Sequence, residues 1–235
     1  MIMKRYFWSL IQKFTEFFGR RKNGASVLMF HNVSDDISLW NDKSIAIKAE
    51  SFEKLISGLA KNEAKFEPVE KLECAVKNNA FIITFDDMFL SAYKNALPVL
   101  EKNGIPYCVF ISEKYIGEDG YISEKEIKLL SDNPLCTVGF HSVSHKMFRF
   151  MSAGQVEKEL DCNSLTEITG QKPEYFAFPY GSLYACGYRA AEPAKKKYKY
   201  AFSTVSARCT ESQMIKKPYY LPRINVNEEN YQKFL

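Results

Sequence analysis

Histidine is scarce in this sequence, three residues in 235, and several patterns that would assign a function cheaply are missing. No C-x-x-C pair is present: the six cysteines (Cys74, Cys108, Cys136, Cys162, Cys186, Cys209) stand more than twenty residues apart, which excludes a clipped structural zinc. They read as free, mostly buried thiols. Such usage fits a reducing compartment, so the expected localisation is cytoplasmic. No apolar run reaches the roughly 20 residues that span a bilayer. No segment is low in complexity and no repeat is found, which excludes solenoid and fibrous architectures.

Positive charge is unevenly spread. Lys4, Arg5, Lys13, Arg20, Arg21 and Lys22 face only Glu16 within residues 1–22, a local net of +5 in a chain of net +4, so the remainder is near −1. A near-neutral body without a basic stripe argues against nucleic acid as a partner. The first 22 residues fail as a signal peptide, because Gln12, Lys13, Thr15 and Glu16 interrupt the apolar run and no small-residue cleavage site follows. Phe7, Leu10 or Ile11, Phe14 and Phe17 or Phe18 instead recur at helical spacing. Two readings stand: an amphipathic helix lying peripherally on an anionic membrane, at its inner face, or a helix docked on the protein body.

What remains is a folded globular composition, 46% hydrophobic and 26% charged, of a length suited to a single domain with a sizeable core. Residues 1–24 are read as the N-terminal helix and 25–235 as the domain. Within it, short β-rich runs alternate with helical stretches, the pattern of a parallel sheet of βα units. Seven strands are expected at residues 25–30, 80–85, 106–111, 136–140, 174–178, 199–204 and 220–226, each apolar nearly throughout. Helices are expected from Ser51 to Lys61, around Ala92 to Asn103, from Ser123 to Ser131 and from Ser152 to Thr169. Ser123 with Glu126 and Ser152 with Gln155 form capping-box patterns, and Gly104 and Gly170 suit helix C-termini. Residues 32–49, with Trp40 among them, read as a long loop.

Five strands run directly into residues that can do chemistry: His31, Asp86-Asp87, His141, Pro179-Tyr180-Gly181 and Arg223. In a βα barrel the carboxyl ends of the strands share one face, so distant residues converge there. Two adjacent carboxylates at the end of a buried strand are electrostatically expensive unless a cation compensates. Consecutive side chains on an extended backbone diverge, so one Asp can ligate while its neighbour faces water; a helix N-terminal Asp pair is the alternative. His141 and His145, four apart, fall on one face if the strand turns into a helix. Two imidazoles and a carboxylate make an open metal site, with a surface histidine pair as the alternative.

Thr84-Phe85-Asp86-Asp87, His141-Ser142-Val143-Ser144-His145 and Phe178-Pro179-Tyr180-Gly181, in this order, resemble the motifs of the NodB-type polysaccharide deacetylases, over about Val27 to Val226. The resemblance implies a distorted (β/α)7 barrel that hydrolyses acetyl groups on carbohydrates with one divalent metal ion, zinc being the first choice. It implies Asp86 as general base, Asp87, His141 and His145 as metal ligands, the Tyr180 N–H as oxyanion donor, and Pro179, Gly181 and Met88 along the substrate groove.

Three departures accompany it. Met88 stands where the family usually has Gly, and Ala177 stands where many members carry an Arg that orients the base; Arg223 is the substitute expected here. No His follows His145 to act as general acid. A subgroup acting on exopolysaccharide amino sugars takes that His from an early strand, which Val27-Leu28-Met29-Phe30-His31 resembles, so His31 is expected as the acid. The reading is thus an N-deacetylase of acetylated sugars. Its alternatives are a carbohydrate O-acetyl esterase on the same site and a non-catalytic carbohydrate-binding relative.

Overall fold

Seven parallel strands form one sheet in the order β8-β7-β6-β5-β4-β1-β9. They are β1 (Ser26–Phe30), β4 (Phe81–Asp86), β5 (Tyr107–Ile111), β6 (Cys136–Phe140), β7 (Tyr175–Ala177), β8 (Tyr200–Phe202) and β9 (Ile224–Asn225). The structure, a computed structural model, describes residues 23–38, 42–187 and 191–235. The amphipathic segment at 1–22, and with it Trp40, lies outside the described residues. No helix among the described residues is long and apolar enough to cross a membrane.

Side chains alternate along each strand, and this period of two sorts the core into two layers. Val27, Ile82, Cys108, Phe110, Tyr175, Ala177, Tyr200, Phe202 and Leu221 pack together on the concave side of the curled sheet. Leu28, Phe30, Ile83, Phe85, Val109, Phe140 and Phe176 face the surrounding helices. The run Leu221–Asn225 bridges the two edges: Leu221 N–H donates to Ala201 and Ser203 N–H donates to Leu221, while Leu28 and Met29 of β1 pair with Ile224 and Asn225. The result is a distorted (β/α)7 barrel.

The expected helices form, with corrections. Ala49–Lys61 buries Phe52, Leu55, Ile56 and Leu59 at helical spacing, and both capping boxes are present. The stretch around Ala92 to Asn103 is two helices, Leu90–Asn95 and Leu97–Lys102. Pro98, which cannot donate to the preceding turn, sits in the first turn of the second. Ser152 to Thr169 likewise divides into Ala153–Glu159 and Asn163–Thr169. The loop expected at 32–49 contains two paired short strands, β2 (Asn32–Ser34) and β3 (Ala46–Lys48). All six cysteines are free thiols.

One tight spot links this packing to the face where the chemistry gathers. A Cβ on Gly139 would come within 2.6 Å of the Phe110 ring and 3.2 Å of the Tyr175 carbonyl oxygen. Phe110 in turn lies 5.3 Å beneath the Arg223 guanidinium. Gly139→Ala is expected to destabilise the fold by about 1–3 kcal/mol through overpacking. A urea midpoint equal to that of the unsubstituted protein would mean that Phe110 has room to yield.

Candidate active site

Thr84 and Asp86 share the concave side with Ile82, since they are two and four residues further along β4. Asp86 is 1% exposed and ends the strand inside the barrel mouth. Arg223, fully buried, reaches it from the run that joins the sheet edges. Its Nη1 donates to Asp86 Oδ1 at 2.6 Å and its Nη2 to Oδ2 at 2.7 Å. Two further donors are used: Nε bonds the Ser203 carbonyl at 3.1 Å and Nη1 the Thr84 hydroxyl at 3.3 Å. The ring of Phe202, with that of Phe110, flanks the guanidinium. Burial opposes ionisation of Asp86, but the charge and hydrogen bonds of Arg223, with His141 adding, hold its carboxyl well below the usual carboxylate range.

The backbone then turns sharply. Asp87 and Met88 both have positive φ, 63° and 53°, which swings the Asp87 side chain toward the two histidines. Met88 is fully buried in the helix-side core. It therefore lies beneath the turn and offers no surface to a groove.

His141 and His145 meet without the helix anticipated for them. Residues 141–147 contain neither helix nor strand, and Ser142 and His145 take positive φ, 71° and 50°. Glu159 ties this loop down by accepting from the Ser144 N–H at 2.8 Å and from its hydroxyl. His145 N–H donates to Ser142 Oγ at 3.0 Å. His145 Nε2 comes to 3.0 Å and His141 Nε2 to 3.7 Å from Asp87 Oδ1.

These three side chains fit a divalent cation. Their ligand atoms lie within 4.8 Å of one another. Asp87 Oδ1 is buried and makes no well-formed hydrogen bond although His145 Nε2 stands 3.0 Å away, so a carboxylate oxygen with acceptor capacity and a ring nitrogen face the same space. Burial pushes the His141 imidazole down to about 4, against the pull of Asp86 and Asp87. It is thus the neutral ligand that a metal needs. His141 Nδ1 lies 2.7 Å from the Ala177 carbonyl, which makes Nδ1 the donor and leaves the Nε2 lone pair facing Asp87. At Asp87 burial is likewise outweighed, by His145 and His141, and the carboxyl is lowered.

His31 completes the cluster from the end of β1. Its Nε2 is 4.0 Å from Asp86 Oδ2, the oxygen that also faces His141 Nε2 at 3.9 Å. Its Nδ1 is buried without a partner. Tyr180, at positive φ of 59°, is half exposed, and its ring lies 5.0 Å from that of His145. Pro179 and Gly181 are buried beside it. Gly181 at φ 44° leaves no room for a Cβ, which would meet the Thr204 backbone nitrogen at 2.5 Å. The Pro-Tyr-Gly turn thus shapes the rim and presents Tyr180. Two contributors escaped the sequence reading, Tyr115 and Glu159. The Tyr115 hydroxyl is 3.4 Å from His145 Nδ1 and its ring stacks on Tyr121 at 4.4 Å. It too follows a strand end, β5, but nothing in its residue type announces the role.

A buried Asp-His-His cluster that could hold a metal, beside an arginine-held carboxylate, is the arrangement expected of the polysaccharide deacetylase class. The polysaccharide deacetylase family model matches residues 75–200, more than half of the sequence, and the chain belongs to that family. It is 26% identical to a poly-beta-1,6-N-acetyl-D-glucosamine N-deacetylase of Staphylococcus aureus, over 92% of this chain and 83% of the relative. A polysaccharide deacetylase of Bacillus cereus superposes with a TM-score of 0.80 at 21% identity, covering 90% of this chain and 67% of that one. IcaB of Ammonifex degensii superposes with 0.74 at 23% identity, covering 90% and 95%. The last two likenesses concern the fold.

The Arg223–Asp86 pair has a pH signature. Because its folded pKa is depressed, Asp86 contributes stability that is fully present above its ordinary value of 3.8 and is lost as pH falls below that. Arg223→Met leaves a lone buried carboxylate, which costs about 3–5 kcal/mol near neutrality and raises the carboxyl pKa. The stability gap between the two proteins, measured by urea unfolding with chelator present, should therefore narrow from pH 7 to pH 4. A gap of constant size would show that the ion pair is not its source.

Proposed function

We propose that this protein is a metal-dependent deacetylase that removes acetyl groups from N-acetylated amino sugars of an oligo- or polysaccharide, releasing acetate and a free amine. The observation that carries the reading is the convergence of Asp87, His141 and His145 on one point, 3.0 to 3.7 Å apart at Asp87 Oδ1, next to the arginine-bound carboxylate. The named activity of the Staphylococcus aureus relative supports the choice of an amide over an ester.

Asp87, His141 and His145 would hold one divalent ion, zinc by the preference of a two-imidazole, one-carboxylate set. When bound, the ion supplies Lewis acidity that polarises the acetyl carbonyl and acidifies a water. Asp86 would accept a proton from the attacking water through Oδ2, while Arg223 fixes the plane of the carboxylate. Being held in its charged form, Asp86 is always ready to accept but is a weak base, a match for an acidified water. The Tyr180 N–H donates to the developing oxyanion at the rim. His31, whose Nε2 lies 4.0 Å from Asp86 Oδ2, delivers a proton to the departing nitrogen. An amine leaves poorly unless protonated, so amide hydrolysis depends on this step.

Two variants separate the ligands from the base. His141→Ala should lose both retained metal and acetate release, whereas Asp86→Asn should keep its metal and lose turnover by roughly 10²–10⁴-fold. Metal content after dialysis decides between them; loss of metal from Asp86→Asn with retention in Asp87→Asn would reverse the two carboxylates.

His31 is tested by the leaving group. His31→Ala should retain fold and metal, lose N-deacetylation by roughly 10²–10⁴-fold, and lose far less against an aryl acetate, whose phenolate departs without a proton. Equal losses on both substrates would remove the acid role and leave His31 a structural one.

A further inference from the structure

At the amino-terminal end of the strands, opposite the face that carries the triad, a cavity of about 210 Å³ opens between the helices Leu72–Asn78 and Glu211–Lys216. Val76 and Tyr200 are buried at its base, and Met214 packs against the same inner core. Ile215, on its rim, is 74% exposed, more than any other large hydrophobic side chain among the described residues. Glu73, Lys77 and Glu211 complete the rim, and the Tyr200 hydroxyl donates to Glu73 Oε1 at 3.2 Å. An apolar groove with an exposed isoleucine at its edge is surface that gains from being covered.

The chain enters the body at one end of this groove. Gly24 N–H donates at 2.9 Å to Oδ1 of Asn79, the left-handed residue that ends the first of the two helices. Arg208 Nη2 donates to the Gly24 carbonyl at 2.5 Å. A Cβ on Gly24 would lie 2.3 Å from the Cys209 carbonyl oxygen and 3.3 Å from the Cα of Thr210, which precedes the second helix as its N-cap. Position 24 is therefore wedged where one wall of the groove ends and the other begins, and the preceding residues lead out from between them.

We propose that residues 1–22 of this chain cover the groove, with Phe17 and Phe18 seated over Val76, Met214 and Ile215. Attachment, composition and charge select this occupant. Phe18 is five residues from Asn23, about 7.5 Å along a helix and at most about 17 Å along an extended chain, while the seven-residue wall Leu72–Asn78 is roughly 10 Å long. The tether thus holds these rings at the groove in a local concentration that a separate partner would have to exceed. Phe14 with Phe17 or Phe18 recurs at helical spacing and supplies an apolar stripe. The segment carries a net +5, with Arg20, Arg21 and Lys22 next to the point of entry, and the rim offers the carboxylates of Glu73 and Glu211 against the single ammonium of Lys77.

The test is hydrogen exchange read peptide by peptide on the full chain, at two protein concentrations, for the unsubstituted protein, Ile215→Lys and the double variant Phe17→Ser/Phe18→Ser. The Ile215 side chain is exposed, so exchange in the strands should stay unchanged and report an intact fold. Amides of residues 13–22 and 211–216 should exchange on the order of tenfold faster in either variant than in the unsubstituted protein, equally at both concentrations. Unchanged exchange of residues 13–22 in Ile215→Lys overturns the docking, whatever happens at 211–216. Protection that grows with protein concentration assigns the groove to a second copy, and protection of residues 1–22 that arises only with phosphatidylglycerol vesicles assigns the segment to a membrane surface; either result overturns the proposal as well.

Discussion

A guanidinium and a carboxylate, both shut away from water, are joined by two hydrogen bonds of 2.6 and 2.7 Å at the mouth of the barrel. Either charge alone in that position would be strongly destabilising. Together they link β4 to the run that bridges the sheet's two edges, so one interaction both holds the barrel in register and fixes the plane of Asp86. The pair is tied further into the barrel: Arg223 also binds the Ser203 carbonyl and the Thr84 hydroxyl, and Thr84 donates its own proton to the Leu28 carbonyl at 2.9 Å. Ala177, buried on the same concave side, offers its carbonyl to His141 Nδ1 at 2.7 Å.

Around this fixed point the backbone is bent to a degree that ordinary strands avoid. Seven non-glycine residues among those described have positive φ, and five of them, Asp87, Met88, Ser142, His145 and Tyr180, stand at the strand ends that form the site. Each such residue costs of order 1 kcal/mol or more unless its surroundings enforce it. Here they do so by burial of Met88 in the core and by the Glu159 carboxylate on the histidine loop. The cost is concentrated where it brings Asp87, His141 and His145 to face one another.

Electrostatics divides the labour between the two adjacent carboxylates. Both are buried and both are lowered, but by different partners: Asp86 by the charge and hydrogen bonds of Arg223, Asp87 by the approach of His145 and His141. Each Asp86 oxygen accepts once from Arg223, which fixes the carboxylate and still leaves it acceptor capacity. Asp87 Oδ1 instead lies against the two imidazoles, at 3.0 and 3.7 Å.

Much of this was legible in the amino-acid order. Alternation of apolar strands with helices specified the parallel sheet, because a strand covered on both faces must be apolar throughout. The placement of His31, Asp86-Asp87, His141 and Tyr180 at or just after strand ends pointed to the site, because parallel strands bring their ends to one face, whereas Arg223 enters from the residue before β9. The expected partner of Asp86 was readable only as a candidate, since a residue 137 positions away declares its target through no local pattern. A spacing of four puts His141 and His145 on one face only of a helix, and it gives no hint that Glu159 would hold the segment in a different turn. Tyr115, the burial of Met88 and the groove beside Gly24 belong wholly to the tertiary structure. They depend on which segments pack against one another, and the sequence records residue types and spacings without recording those neighbours.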